Sequence, residues 1–175
     1  LFLVAKNYIT SANMWFHAFW GYGKLYKDID MYQKTWNYIQ NTVEDAILDY
    51  ARAHNNSQRW TKVFDIQDDI PETKILGLSY YNFTQGDLHF SLGNVNLRTV
   101  LLYIPNAPDR RVYYQVTVSD TYDFTEWRIK ENISNGSPIG FGDIANDLGS
   151  ILMLEEVGYI KKYTWTFNQS GSLLF

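Results

Sequence analysis

Residues 112–128, VYYQVTVSDTYDFTEWR, decide how the chain is read. Val112, Tyr114, Val116 and Val118 alternate with Tyr113, Gln115, Thr117 and Ser119, the period of a half-buried β-strand. The even-numbered row is apolar and is expected to face the core. If the pleat continues, Asp120 and Tyr122 come next on that face. A carboxylate therefore arrives where the pattern has been placing valines, and Asp123, Glu126 and Arg128 follow closely. A buried carboxylate is costly unless it is paired, metal-bound or protonated. The functional reading is a catalytic strand end. The plainer reading, which the spacing alone favours, is a strand running into a solvated turn, with Asp120 and Asp123 as turn residues.

Working outward, the residues after Lys74 predict strands at 74–83, 86–92, 95–104, 111–119 and 159–167. Val95, Leu97, Leu101 and Tyr103 share one face of the third, and Tyr163, Trp165 and Phe167 one face of the last. A helix is expected at 143–156, with Asp143 as N-cap, Ile144, Leu148, Ile151 and Leu152 as its buried stripe, and Gly158 closing it. Upstream, residues 31–53 carry Trp36, Ile39, Val43, Ile47 and Tyr50 at helical spacing. Asn37, Asn41, Glu44, Asp45 and Asp49 are expected on the solvated face. Residues 11–20 predict a short helix capped by Ser11 or Asn13 and stopped by Gly21 and Gly23. His17 lies inside it, where a core histidine with a satisfied ring nitrogen is the ordinary expectation. Residues 65–72, DIQDDIPE, read as a solvated acidic linker, because the glycine and terminal glutamate of an EF-hand loop are missing. The expected fold is α+β: N-terminal helices packed on a curved antiparallel sheet or open β-barrel. It is read as one domain over 1–175, helical in 1–64 and β-rich in 74–175.

The chain has 175 residues, 15 basic and 19 acidic, for a net charge of -4. No basic excess is present to hold a phosphate backbone, which argues against nucleic-acid binding. There is no cysteine, so disulfides, thiolate catalysis and cysteine-zinc sites are excluded. Aromatic residues make up 17%, a richness that suits membrane interfaces, carbohydrates or lipid headgroups, and equally β-rich cores. The start, Leu1 to Ile9, is too short and too polar to span a bilayer and lacks the basic opening of a signal peptide. No phosphate-binding glycine loop, nucleophile elbow or HExxH motif occurs, and the histidines are His17, His54 and His89.

Asp120-Thr121-Tyr122-Asp123-Phe124 resembles the Asp-x-Tyr-Asp-Phe signature of the colicin M family of bacteriocins. Phe16-His17-Ala18-Phe19-Trp20-Gly21-Tyr22-Gly23 resembles that family's short helix ending in a tryptophan and two glycines. Gly86-Asp87-Leu88 through Gly93, then Asn96-Leu97, resembles its Gly-Asp strand and the Gly-Asn strand that follows. The helix near Asp147-Leu148-Gly149 matches the helix after the signature. The blocks occur in order over roughly residues 12 to 167.

The resemblance implies an open-barrel activity domain, a fragment of a longer toxin. It implies a magnesium-dependent hydrolase that cuts lipid II between undecaprenol and pyrophosphate, blocking peptidoglycan synthesis. It further implies a secreted or delivered toxin acting in the target's periplasm, at the outer face of the inner membrane. The implied partners are lipid II, a cognate immunity protein and the target membrane surface. On this reading Asp120 and Asp123 hold Mg²⁺, Arg128 forks onto a phosphate oxygen, and Tyr122 positions a phosphate or water. The family's histidine shortly after the second aspartate has no counterpart, because Phe124 is followed by Thr125-Glu126-Trp127-Arg128. The acid/base role falls to Glu126, His17 or His89, with His17 favoured because the matching family helix also carries a histidine. Tyr113, Tyr114 and Trp127 are candidates to meet the polyprenyl tail or to pack the sheet. The rival expectation is a non-enzymatic toxin or a headgroup- or partner-binding domain on the same fold. A carbohydrate-binding module is the third.

Overall fold

The computed structural model describes residues 9–55, 58–65, 75–105, 110–122 and 161–174. The elements in chain order are α1 (Ile9–Trp20), α2 (Ile29–Ala53), β1 (Trp60–Phe64), β2 (Tyr80–Asn82), α3 (Gly86–Leu92), β3 (Asn94–Ile104), β4 (Arg111–Tyr122) and β5 (Tyr163–Leu174). The fold is α+β, and among the described residues the five strands form an antiparallel sheet that does not close. The order is β1-β3-β4-β5, with β2 also on β3. By contact density the chain divides into two compact units. One is Leu1–Lys27, Gln85–Ser91 and Thr121–Trp165; the other is Asp28–Thr84, Leu92–Asp120 and Thr166–Phe175.

The second unit is built on β3 and β4. Leu97 faces Val118, Thr99 faces Val116, Leu101 faces Tyr114 and Tyr103 faces Val112. All eight are buried, while Asn94, Asn96 and Arg98 are exposed, so alternation in the sequence becomes a buried and a solvated sheet face. Helix α2 covers the buried face. Trp36 packs near Tyr114, Tyr32 stacks on Phe167, and Tyr50 meets Phe64 edge-on. Asp28 caps α2 by accepting from the Met31 N–H at 3.0 Å. Gly77 permits a close approach to α2: its φ is +85°, and a Cβ there would lie 2.9 Å from the Thr42 carbonyl oxygen.

In the first unit α1 buries Thr10, Met14 and Ala18. The Met14 carbonyl accepts from the Tyr163 hydroxyl at 2.9 Å, and the Ala18 carbonyl from the Lys161 N–H at 3.1 Å. The helix ends where the two glycines were expected to end it. It begins at Ile9, however, so Ser11 and Asn13 lie inside it.

Several expectations are corrected. Residues 86–92 are helical, not a strand. Leu88 and Leu92 satisfy a period of two and a spacing of four equally well. The Ser91 hydroxyl bonds back to the Asp87 carbonyl at 2.6 Å, and Asp87 accepts from the Thr10 N–H at 3.0 Å. The strand expected at 74–83 shrinks to β2, because residues 77–79 turn at Gly77. Strand β1 was not anticipated; four of its five residues are not buried, so the core row that marks a strand is missing. Strand β5 runs seven residues past the expected end at 167. Tyr50 is only half-buried, and Met31, Thr35 and Ala51 complete the stripe of α2. Glu44 is not on the solvated face, since it meets Tyr114. The expected helix at 143–156 and most of the acidic linker lie outside the described residues.

Candidate functional site

Strand β4 carries its alternation to the end. Val112, Tyr114, Val116, Val118 and Asp120 are all buried, Asp120 to 6% exposure. Asp120 is therefore part of the strand and not a solvated turn residue. The pleat brings it inward: β4 stays paired with β3 through Asn96–Ser119, so the next side chain takes the core direction. Tyr122 is the last residue of β4. Asp123, Glu126 and Arg128 lie outside the described residues, as does Trp127.

His17 sits in the last turn of α1, half-buried. Its Nε2 lies 2.9 Å from the Lys24 carbonyl. A carbonyl can only accept, so Nε2 is the donor in this bond, and Nδ1 takes no part in it. The ring meets Tyr26 at 4.9 Å and Tyr163 at 4.6 Å between centroids, both edge-on. Gly21 lies against it: a Cβ there would fall 2.6 Å from Cε1 and Nε2. This is a packed histidine with one satisfied ring nitrogen, the ordinary expectation for a histidine on an apolar helix. His89 is half-buried in α3, on a helix rather than the neighbouring strand from which it was expected to reach. Asp120 belongs to the sheet unit, and His17, His89 and Tyr122 to the other.

Sequence reading missed one polar pair. The Tyr114 hydroxyl donates to Glu44 Oε1 at 2.8 Å, and Gln40 Nε2 donates to the same oxygen at 2.9 Å. Burial pushes the Tyr114 hydroxyl well above the usual tyrosine range, and the Glu44 carboxylate adds to the shift. Gly171 leaves room for this pair, since a Cβ there would stand 2.6 Å from the Tyr114 oxygen. The signal was present: Trp36, Gln40 and Glu44 fall at i, i+4 and i+8, on one line beside the apolar stripe. Tyr114 is thus a core residue, whereas Tyr113 is 41% exposed on the opposite sheet face.

Among the described residues no group of three or more His, Asp or Glu side chains assembles as a metal cluster. An open depression on the outer side of α2, lined by Asp30, Gln33, Lys34, Asn37 and Tyr38, contains none of the expected site residues. No family model, no curated protein and no solved structure matches this chain.

Proposed function

We propose that this chain is an antibacterial activity domain of the colicin M type, hydrolysing lipid II between undecaprenol and pyrophosphate. The observation that carries the reading is Asp120, a carboxylate buried at the end of a central strand whose sequence continues into Tyr122-Asp123-Phe124. Valines precede it on the same row, so the acid departs from an otherwise apolar pattern. An α+β fold with an open antiparallel sheet agrees with the architecture the resemblance implies.

The chemistry asks for neutralised phosphoryl oxygens and a proton for the leaving or attacking oxygen. Magnesium, when bound, supplies the charge neutralisation. Asp120 and Asp123 would hold it; Asp120 is the described one of the two, and carboxylates are the donors Mg²⁺ takes. Arg128 would grip a phosphate oxygen and Tyr122 would orient phosphate or water. Glu126, His17 or His89 would carry the proton. For His17 that role would run through Nδ1, the nitrogen not bonded to Lys24. The domain would act at the periplasmic face of the target's inner membrane, neutralised in the producer by an immunity protein.

The rival reading is a domain of the same fold that binds a headgroup or partner without hydrolysis. The His17 ring favours it, because its Nε2 is already committed to a backbone carbonyl. Mg²⁺-dependent release of undecaprenol from purified lipid II separates the two. We expect release by the parent chain and loss of at least 100-fold in Asp123→Ala, with folding intact. Expression exported to the periplasm should lyse cells, and cytoplasmic expression should not. A folded Asp123→Ala chain that turns over lipid II like the parent would overturn the site; no turnover by the parent would leave the binding reading.

A further inference from the structure

Helix α1 is apolar on both sides. Thr10, Met14 and Ala18 point inward, while Ile9, Phe16 and Trp20, at i, i+7 and i+11, form a second stripe that stays exposed. Phe16 is 61% exposed and Trp20 63%, and their rings stack with centroids 5.5 Å apart. The turn that follows adds Tyr22, 77% exposed, and Leu25. Tyr22 has a φ of +54°, a left-handed conformation that a bulky side chain rarely adopts. The chain thus spends strain and aromatic surface on an outward-facing patch.

The segment that carries this patch is basic in an acidic chain, with Asp28 and Asp30 following it and the buried Asp87 against Thr10. From Ile9 to Lys27 there is no acidic residue, but Lys24 and Lys27 are both present and exposed, in a chain of net charge -4. Two more exposed lysines come from the segment before β5. Lys161 donates its N–H to the Ala18 carbonyl, and a Cβ on Gly23 would lie 3.3 Å from the Lys162 carbonyl oxygen. Four lysines therefore gather where α1 ends.

We infer that this patch docks the chain on a membrane surface rich in anionic phospholipid. Exposed Trp, Phe and Tyr suit the headgroup boundary, and the lysines suit its negative charge. With twelve residues α1 spans roughly 18 Å, less than a bilayer's hydrocarbon thickness, so it would lie in the interface rather than cross it. The inference deepens the membrane partner of the proposed function, but it needs neither lipid II nor hydrolysis.

The test is flotation of the full chain with vesicles of phosphatidylcholine alone and of phosphatidylcholine with about 30% phosphatidylglycerol, both free of lipid II. Binding to the anionic vesicles, weakened by salt, is expected. Lys24→Glu/Lys27→Glu should weaken it by at least about 25-fold, roughly fivefold for each lysine lost. Phe16→Ser/Trp20→Ser should abolish it without moving the unfolding midpoint, because both side chains lie outside the core. Lys34→Glu, on the solvated side of α2, should leave it unchanged. Absence of binding by the parent, or equal loss in Lys34→Glu, overturns the inference. So does a parent that self-associates through Phe16 and Trp20 and ignores vesicles. Lipid II turnover in detergent is unaffected by these outcomes, so failure here is distinct from failure of the hydrolase reading.

Discussion

Helix α2 buries Met31, Trp36, Ile39, Val43 and Ile47 and turns Lys34, Asn37, Asn41, Asp45 and Asp49 to solvent. Helix α1 buries Thr10, Met14 and Ala18 and turns Ile9, Phe16 and Trp20 to solvent. In α2 one apolar stripe meets one sheet face and most polar residues are solvated; Thr35 is buried, Glu44 turns in to Tyr114, and Ile29 and Tyr38 are its exposed apolar side chains. In α1 apolar side chains exceed what the fold covers. Burial of apolar area drives folding without direction, so a surplus left exposed on a folded surface signals a use other than stability.

The sharpest way to break this contrast is a matched pair of truncations. Ile47→Ala, in the buried stripe of α2, should cost about 2–5 kcal/mol. Phe16→Ala, on the outer stripe of α1, should change stability by less than about 0.5 kcal/mol. Urea unfolding monitored by circular dichroism measures both. A large cost at Phe16 would mean that the outer face of α1 is part of the core.

Next in size is the close approach of Gly77 to α2. Gly77→Ala forces a Cβ towards the Thr42 carbonyl and a positive φ on alanine, and should cost about 1–3 kcal/mol. Full stability in this variant would show that α2 can shift away from the turn.

The Tyr114–Glu44 pair gives a smaller effect with a pH signature. Tyr114→Phe should cost about 1 kcal/mol at neutral pH, by leaving Glu44 with one partner fewer. The folded chain holds the hydroxyl protonated to higher pH than the unfolded chain does. That contribution is full below the unfolded tyrosine value of about 10 and is lost as pH rises through the raised folded value. Stability of the parent should therefore fall more steeply than that of Tyr114→Phe in alkaline solution. Parallel profiles would remove Tyr114 as the cause. Smallest of all, Arg52→Ala should have no measurable effect, because Arg52 and Asp49 pair at 3.5 Å with both side chains largely in water.

Strand β4 shows how far sequence carries the argument. Its strict alternation foretold the buried row; Asp120 was expected on it only if the pleat ran on past the strand end expected at 119, and the strand does run on, to Tyr122. The stripe of α2 and the inward faces of β3 and β5 were legible for the same reason, since each repeats over three or more turns or pleats; the end of α1 was legible from its stop signal, Gly21 and Gly23. Where the pattern was short, it failed. Residues 86–92 fit two periods at once, and hydrogen bonds from Ser91 and from distant Thr10 select the helix. Strand β1 carries no core row and exists because β3 offers it an edge, with Val63 opposite Val100.

Of the site, sequence marked Asp120, Tyr122 and His17, together with Asp123, Glu126 and Arg128, whose places lie outside the described residues. It could not tell which nitrogen of His17 is committed, since that depends on a carbonyl seven residues away folding back across the ring. Nor could it place Glu44 against Tyr114, 70 residues apart. Local periodicity determines which side of an element is apolar, because it is a property of the backbone's own geometry. Only the tertiary structure decides which apolar sides are covered and which polar groups meet, because both depend on neighbours supplied by distant parts of the chain.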